Sequence, residues 1–317
     1  MRFIICGAGA TGGVIGGYLA LNGYPVLFID ANQACVDRIN REGLLLKGLH
    51  GTHTLSVPAV EHPRAITFQE GDICLLAVKA YHTREAVAAL RQAAPPSLPV
   101  FCAQNGVRNE EIVARYFPGQ THGVMVYFGS TCLQPGVVIH TSGARLALGT
   151  YPQGIAPVVT QVGEALNQTP LQASITASIM EVKWGKLLVN LNNATYGLVG
   201  LSSQEGLHSP ELRHLLADVM EEGLQVLREA GIPYQGLPGD PSPETMIQRW
   251  REEAFSPPEI PSDPEMLHRP SLWQDLSLQR GITEAEYFNG EIVRLGKELG
   301  IPTPLNARLL ALVQEMA

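Results

Sequence analysis

Six glycines lie between residues 7 and 17, and the motif they form constrains the fold of this chain more than any other feature. Gly7-Ala8-Gly9-Ala10-Thr11-Gly12 has the pattern GxGxxG and stands between an apolar run and an apolar helical stretch. In that context Gly7 permits a tight turn, Gly9 lets the backbone approach a pyrophosphate, and Gly12 lets the helix pack against the strand. The motif predicts a dinucleotide site at a helix N-terminus, with an ordinary strand-to-helix turn as the alternative.

Asp30 ends the next apolar run, at about the spacing of 20 residues at which an acid usually binds the ribose of a dinucleotide. A carboxylate there accepts hydrogen bonds from the ribose hydroxyls and repels the 2′-phosphate of NADP(H). No arginine or lysine follows before Arg38. The sequence therefore favours NAD(H), unless Asp30 only caps the following helix.

The length of 317 residues predicts two domains of about 150 residues each. Short apolar runs alternate with helical stretches as far as about residue 105, which is typical of βαβ units with a parallel sheet. We expect strands at residues 2–6, 25–30, 73–78, 99–104, 124–127, 137–140 and 145–148, and a helix near 158–167. After residue 178 the chain reads as helical. The predicted domains are an α/β dinucleotide-binding domain over 1–177 and an all-helical domain over 178–317.

The second half carries clear helix signals and one irregular stretch. Ser209-Pro210-Glu211 predicts a helix start with Gly231 at its end, and Ser242-Pro243-Glu244 predicts another start. Nine of the 23 prolines fall between residues 233 and 270, so this stretch is not one helix. We expect an extended passage over 256–264, either a surface loop or an active-site flap.

The net charge of −8 argues against nucleic acids and anionic membranes as partners. No apolar run approaches the length of a membrane span, and the five cysteines form no CxxC pair, so we expect a protein of the cytoplasm. The nine histidines form no metal motif; His50 and His53 could share a helix face but are expected at the surface. The helices after residue 178 could form a homodimer.

Three polar residues outside the glycine motif are candidates for the site. Lys79 and Asn105 follow predicted strands, and ligands of open α/β sheets bind at the carboxyl ends of strands. Lys186 lies amid Trp, Leu and Val, with Asn190 one helical turn later. Burial should lower the pKa of Lys186 and suit it to act as a general acid. Each candidate has an ordinary alternative. Lys79 could be a solvated lysine, and Asn105 could belong to a simple Asn-Gly turn. Lys186 could extend to water, and Lys183 is the competing lysine.

In this order, the motifs resemble those of the ketopantoate reductase family, the 2-dehydropantoate 2-reductases, over nearly the whole chain. The matching segments are the glycine motif, Val78-Lys79-Ala80-Tyr81, Gln104-Asn105-Gly106, Trp184-x-Lys186-Leu187-x-x-Asn190, Pro270-Ser271-x-x-Gln274-Asp275, Thr283-Glu284-x-x-Tyr287-x-Asn289-Gly290 and Gly300-Ile301-Pro302-Thr303-Pro304-x-Asn306. The resemblance implies a Rossmann domain, then a helical domain like the C-terminal domain of 6-phosphogluconate dehydrogenase, with the active site between them. It also implies a role in pantothenate biosynthesis and NADP(H) as the default cofactor.

The resemblance further implies roles for individual residues. Lys186 would protonate the alkoxide formed when hydride reaches a 2-oxo carbon, and Glu284 would orient the substrate and Lys186 and contact the cofactor. Substrate binding falls to Asn190, Ser271 and Asn105, and cofactor binding to Gly7, Ala8, Gly9, Ala10, Thr11, Gly12, Asp30, Lys79 and Asn105. The family's second asparagine would fall at Ala194, so Asn193 is a possible substitute.

The chain departs from the family pattern on the cofactor side and on the substrate side. Asp30-Ala31 replaces the family's usual arginine, and the proline-rich stretch is longer than usual. The default function is reduction of ketopantoate or a related 2-oxo acid. One alternative is an NAD-dependent D-2-hydroxyacid dehydrogenase for bulkier acids such as mandelate, with Trp273 shaping the pocket. An alternative of another class is a cofactor-sensing protein that has lost chemistry.

Overall fold

The computed structural model describes residues 1–237 and 239–317. The chain divides into two compact units, Met1–Met180 and Glu181–Ala317. The sequence places this boundary slightly earlier, after residue 177. The difference arises because Ile179 opens the next helix yet belongs to the first unit, where its side chain fills the space beside Gly123 and Gly149.

The first unit is built on a ten-stranded sheet. The strands are β1 (Arg2–Cys6), β2 (Val26–Ile29), β3 (Leu44–Gly48), β4 (His53–Leu55), β5 (Ala59–Val60), β6 (Asp72–Leu76), β7 (Val100–Cys102), β8 (Thr121–Gln134), β9 (Val137–Thr150) and β10 (Gln172–Ile175). Their spatial order is β4-β3-β9-β8-β7-β6-β1-β2-β5, and β10 pairs with β9.

The central strands form the predicted Rossmann arrangement. β2, β1, β6, β7 and β8 are parallel neighbours, so their carboxyl ends lie at one edge of the sheet. The chain order reverses direction between β1 and β6, which is the position where open α/β sheets bind their ligands.

Helices cover both faces of this sheet. They are α1 (Ala10–Leu21), α2 (Gln33–Glu42), α3 (Thr83–Ala93), α4 (Asn109–Ala114) and α5 (Pro157–Asn167). Residues of α1, α2 and α5 enclose one apolar cluster with Phe3, Phe28 and Phe101, and residues of α3 and α4 enclose the other with Cys74 and Cys102. Because the central strands are buried on both faces, they read in the sequence as continuous apolar runs.

Two details of the sheet differ from the prediction. The segments 137–140 and 145–148 belong to one long strand, β9, which pairs antiparallel with β8. Gly143, with a φ of +64°, lets β9 continue through a register shift where we expected a break. The prediction also missed β3, β4, β5 and β10, and it was wrong to allow His50 and His53 a common helix face, since His53 lies in β4.

The second unit is helical, as predicted. Its helices are α6 (Ile179–Asn190, which begins in the first unit), α7 (Asn192–Val199), α8 (Ser203–Gly206), α9 (Pro210–Glu229), α10 (Pro243–Arg251), α11 (Ser271–Ser277), α12 (Asn289–Leu299) and α13 (Pro304–Met316). Ser209 and Ser242 cap α9 and α10 as their sequences predict, and Gly231 follows α9 with a φ of +63°.

The proline-rich stretch contains α10 and then a passage over 255–261 without helix or strand. A short 3₁₀ turn, Pro264–Met266, precedes α11. Among the described residues, no helix is both long enough and apolar enough to cross a membrane.

Candidate functional site

The glycine motif forms a sharp turn from β1 into α1. Gly7 has a φ of +104°, and a Cβ atom there would lie 2.8 Å from the carbonyl carbon of Ala77. A Cβ atom on Gly12 would lie 2.0 Å from the Gly7 oxygen. Both positions therefore require glycine, for the turn and for the close packing that the sequence predicts.

The N-terminus of α1 suits an anionic group. Gly9 caps this helix without a side chain, no acidic residue occupies the first turn, and a Cβ atom on Gly9 would meet nothing within 4 Å. The first backbone N–H groups of a helix carry partial positive charge and bind phosphate well. This turn thus fits the pyrophosphate of a dinucleotide.

Asp30 is tied to the same turn. Its Oδ2 accepts a hydrogen bond of 2.7 Å from the backbone N–H of Ala8, and its Oδ1 accepts one of 2.9 Å from Asn32. The cap of α2 is Asn32, whose side chain accepts from the N–H of Cys35. The alternative that Asp30 only caps α2 was wrong, and the carboxylate lies beside the helix N-terminus of the glycine motif.

The turns after β6 and β7 lie at the same sheet edge and are joined to each other. Gln104 donates to the Thr83 hydroxyl at 2.7 Å, and Thr83 donates to the Asn109 side chain at 2.7 Å. Asn109 then donates to the backbone oxygen of Asn105 at 2.8 Å. This buried chain of hydrogen bonds fixes the loop that carries Asn105 relative to the turn that carries Lys79.

In the second unit, Lys186 occupies the middle of α6. Burial lowers the pKa of the Lys186 ammonium to about 8, as the sequence predicts, and the Asp240 carboxylate opposes that shift. The neighbouring Lys183 is more deeply buried, with an exposed fraction of 1%. Because Lys183 and Lys186 differ in burial, these two lysines of α6 need not share a role.

The segment around Gln235 runs directly along α6. The Gln235 N–H donates to the Glu181 oxygen at 3.0 Å, and a Cβ atom on Gly185 would lie 2.2 Å from the Gln235 oxygen. Glycine at position 185 is therefore what lets the loop approach.

His268 also lies in the electrostatic field of Lys186. Burial lowers the pKa of the His268 imidazole to about 4, and the Lys186 ammonium adds to the shift. The imidazole is therefore neutral near pH 7. Sequence reasoning missed both His268 and Asp240, because neither belongs to a motif and both meet Lys186 only through the fold.

The other predicted residues of this unit are mostly buried polar groups. Asn190 is 5% exposed, one turn after Lys186 on α6, and Glu284 is 3% exposed in a 3₁₀ turn, Glu284–Tyr287. The Ser271 hydroxyl, at the start of α11, is buried with no hydrogen-bond partner among the described residues. Asn193 is partly exposed on α7, whereas its neighbour Asn192 is 1% exposed.

Packing joins the elements that carry these residues. α7 follows α6 directly, and Gly197 of α7 leaves room for Leu272 of α11. α11 in turn packs against the 3₁₀ turn of Glu284. The helical unit therefore contains a lysine of lowered pKa, a neutral imidazole, a buried hydroxyl without a partner among the described residues and a buried carboxylate, which are side chains of the kinds used for proton transfer and for binding polar small molecules.

Two family models match the chain. Ketopantoate reductase PanE/ApbA matches residues 3–153, and its C-terminal model matches residues 178–317. The chain belongs to the ketopantoate reductase family. It is an NAD(P)-dependent oxidoreductase, and its fold is the Rossmann and helical pair expected of a ketopantoate reductase.

Relatives of the ketopantoate reductase family match along the full length. The 2-dehydropantoate 2-reductase of Archaeoglobus fulgidus is 30% identical over 99% of this chain and 97% of its own. A crystal structure of a PanE/ApbA family ketopantoate reductase from Ralstonia eutropha JMP134 is 28% identical, with a TM-score of 0.82 over 100% of this chain and 98% of its own. D-mandelate dehydrogenase with NADH and anilino(oxo)acetate shares the fold, at 24% identity and a TM-score of 0.84 over 100% and 98% of the two chains.

Proposed function

We propose that this protein reduces the 2-oxo group of ketopantoate or a related 2-oxo acid to the hydroxyl with NAD(P)H. Lys186 carries the proposal: a lysine whose pKa is lowered to about 8 holds a transferable proton near neutral pH. Family membership supports the same reaction, because the Archaeoglobus fulgidus relative, which matches 99% of this chain, is a 2-dehydropantoate 2-reductase.

The residues of the first unit fit the cofactor. The N-terminus of α1 and Gly9 would hold the pyrophosphate, and Asp30 would bind the adenosine ribose. Lys79 and Asn105 would contact the cofactor from the turns beside it. When bound, NAD(P)H supplies the hydride that the 2-oxo carbon accepts.

Lys186 acts as the general acid. Hydride addition to a ketone leaves negative charge on the former carbonyl oxygen, and the Lys186 ammonium both stabilises that oxygen and protonates it. Its lowered pKa of about 8 lies near the operating pH, where a general acid is most effective. In the reverse reaction the neutral amine takes the proton from the substrate hydroxyl.

The remaining polar groups bind and orient the substrate. The unpaired Ser271 hydroxyl and the Asn190 amide would bind its carboxylate and hydroxyl, with Asn193 and Asn105 as further contacts. Glu284, buried in its 3₁₀ turn, would orient the substrate and Lys186 and contact the cofactor. A buried hydroxyl without a partner costs free energy, which a ligand acceptor or donor would recover.

One observation favours a bulkier acid as substrate. Trp273 lies two residues after Ser271 in α11, and the Arg269 guanidinium stacks over its ring at 4.3 Å. An aromatic side chain in the same short helix as Ser271 would suit an aromatic 2-oxo acid. The second candidate is therefore a D-2-hydroxyacid dehydrogenase of the mandelate type, using NAD(H).

The experiment compares substrates directly. Ketopantoate, benzoylformate and branched 2-oxo acids are assayed with NADH and with NADPH, for the natural protein and for Lys186→Ala. We expect turnover of at least one acid and a fall in kcat of about 10²- to 10⁴-fold in the variant. Highest kcat/KM with benzoylformate would favour the second candidate. Binding of NAD(P)H without reduction of any acid would instead support a cofactor sensor.

Cofactor preference has its own test at Asp30. A carboxylate between the glycine turn and the ribose should repel a 2′-phosphate, so we expect the natural protein to prefer NADH. Asp30→Asn retains an acceptor for the Ala8 N–H but removes the charge, and it should raise the ratio of kcat/KM for NADPH over NADH by about tenfold. Asp37→Asn on the exposed face of α2 is the matched control. Equal use of both cofactors by the natural protein would contradict the assignment.

A further inference from the structure

Asn289 and Asn306 belong to two of the segments that match the family, and neither has a role in the proposed reaction. Asn289 is the first residue of α12 and Asn306 lies in the first turn of α13, and both are 0% exposed. The Asn289 side-chain amide donates to the Asn306 side-chain oxygen at 2.9 Å. The two segments are therefore joined directly inside the helical unit.

The Asn306 side chain is held by α9. Its Nδ2 donates to Oε2 of Glu222 at 2.6 Å and to the Val219 oxygen at 3.2 Å. The Glu222 carboxylate also accepts from the backbone N–H groups of Leu305 at 3.0 Å and Asn306 at 2.8 Å, at the N-terminus of α13. Because a carboxylate and a carbonyl oxygen only accept, the Asn306 nitrogen faces α9 and its Oδ1 faces Asn289.

The Asn289 amide has its second acceptor at the end of the helix that carries Lys186. Its Nδ2 donates to the backbone oxygen of Leu191 at 3.0 Å. Leu191 is the single residue between α6, which ends at Asn190, and α7, which begins at Asn192. A side chain that bonds the backbone at such an interruption helps to set the direction in which the chain continues.

The Leu191 side chain is held as well as its carbonyl group. A Cβ atom on Gly223 would lie 2.5 Å from Cδ1 of Leu191 and 3.0 Å from Cδ2 of Leu188, so glycine lets α9 approach the junction closely. Asn190, which is 5% exposed, directly precedes the residue that is held in both ways. The junction of α6 and α7 is thus a rigid support for Asn190, as a binding residue requires.

Half of the Asn289 amide is unused. Its Oδ1 is buried and makes no hydrogen bond with any residue in the described part of the chain. A buried acceptor without a partner costs free energy. Stability alone therefore does not explain an asparagine at this position, whereas a residue that serves to hold the Leu191 carbonyl needs only its two donors.

We propose that Asn289 is a positioning residue for the reduction of the 2-oxo acid: it holds the Leu191 carbonyl so that Asn190 presents its amide to the substrate. Asn306, anchored on Glu222, keeps the Asn289 donors directed at their acceptors. This inference rests on the proposed function and deepens it, because it gives the two unassigned asparagines a part in binding the acid.

An isosteric substitution tests the proposal. Asn289→Asp keeps the size of the side chain but replaces the donors by an acceptor, which the Leu191 and Asn306 oxygens repel. Misplacement of Asn190 weakens binding of the acid before and during the reaction, so we expect KM for the 2-oxo acid to rise by about tenfold. We expect kcat and the KM for NAD(P)H to stay within about threefold of the natural values.

Two further variants complete the comparison. Asn289→Ala removes the same donors without introducing a charge, and it replaces Asn289→Asp if the buried carboxylate prevents folding. Asn167→Asp is the matched control, because Asn167 at the exposed end of α5 likewise donates to a backbone oxygen, that of Ala173, at 2.9 Å. It should leave KM for the acid unchanged. A natural KM for the acid in a folded Asn289 variant would overturn the inference.

A double-mutant cycle asks whether Asn289 acts through Asn190. Asn190→Ala should raise KM for the acid, and the Asn289 substitution should then add less than about twofold, because the side chain that it positions is gone. A purely structural role predicts that the Asn289 substitution has the same effect with and without Asn190.

The outcomes of the cycle separate the inference from the proposed function. Additive effects on KM, or a natural KM in Asn190→Ala, would overturn the inference while the natural protein still reduces its 2-oxo acid. Failure of the natural protein to reduce any 2-oxo acid would overturn the proposed function, and the inference with it.

Discussion

Two opposing influences act on the pKa of the Lys186 ammonium, and each comes from a different part of the chain. Burial by the apolar residues of α6 disfavours the ammonium, and the Asp240 carboxylate favours it. The sequence predicted the first influence from the Trp, Leu and Val around the lysine. It could not predict the second, because Asp240 is far from Lys186 in sequence and belongs to no motif.

The pH dependence of the reaction should follow the Lys186 pKa. The general acid must be protonated, so the rate of reduction is full below about pH 8 and falls as the pH rises through that value. Asp240→Asn removes the carboxylate that raises the pKa, and the falling limb of kcat/KM should move to lower pH. The measurement is the pH profile of both proteins. Glu259→Gln, an exposed acid of the same unit, should leave the limb in place.

Gly185→Ala tests the close approach of the loop to α6. The new methyl group would lie 2.2 Å from the Gln235 oxygen, so the backbone of the loop must move. We expect a loss of about 1–3 kcal/mol in the free energy of unfolding, despite the better helix propensity of alanine. Urea denaturation measures it. Gly163→Ala in α5 is the matched variant, because its methyl group would meet only the flexible Ile175 side chain; an equal loss there would show that helix context, not the loop, is responsible.

At the scale of elements, the sequence predicted those with simple periodicity or clear end signals. The central strands, α1 and the capped helices α9 and α10 were all placed from such patterns. β4, β5 and β10 were missed because they are short edge strands with few buried residues, and β3 was missed because its parallel partner, β9, is distant in sequence. The break expected within β9 was wrong because Gly143 marks a bulge inside a strand rather than a turn.

The two turns at the carboxyl ends of β6 and β7 depend on Thr83, which belongs to no motif that the sequence analysis selected. Thr83→Val keeps the shape of the side chain and leaves the Gln104 and Asn109 side chains without their shared partner. We expect a loss of about 1–3 kcal/mol in the free energy of unfolding and a higher KM for NAD(P)H. Thr54→Val on exposed β4 is the control for the loss of a hydroxyl. If the KM for NAD(P)H stays unchanged in Thr83→Val, the hydrogen bonds of Thr83 do not influence cofactor binding.

For the whole molecule, buried histidines should make the fold sensitive to acid. His122 is 1% exposed and packs against the Phe101 ring, and burial lowers its pKa to about 4. The unfolded chain binds a proton near pH 6.5, so this stability is present above pH 6.5 and is lost as the pH falls towards 4. The contribution is about 3 kcal/mol, at 1.36 kcal/mol for each pKa unit.

His122→Leu removes that proton-binding difference. The free energy of unfolding in urea should fall less between pH 7 and pH 4.5 in His122→Leu than in the natural protein. His214→Leu, at an exposed position of α9, should follow the natural protein. Parallel pH curves for the natural protein and His122→Leu would mean that His122 is not the group that titrates.

The spatial order of the strands ends in β4 at one side and β5 at the other, and β10 forms a further edge beside β9; these strands are three, two and four residues long. An exposed edge strand offers unpaired backbone groups to a strand of another chain, and long edges promote aggregation. Edges this short offer few such groups. Copies of this protein should therefore resist association by sheet extension, and any homodimer should be assembled through side chains.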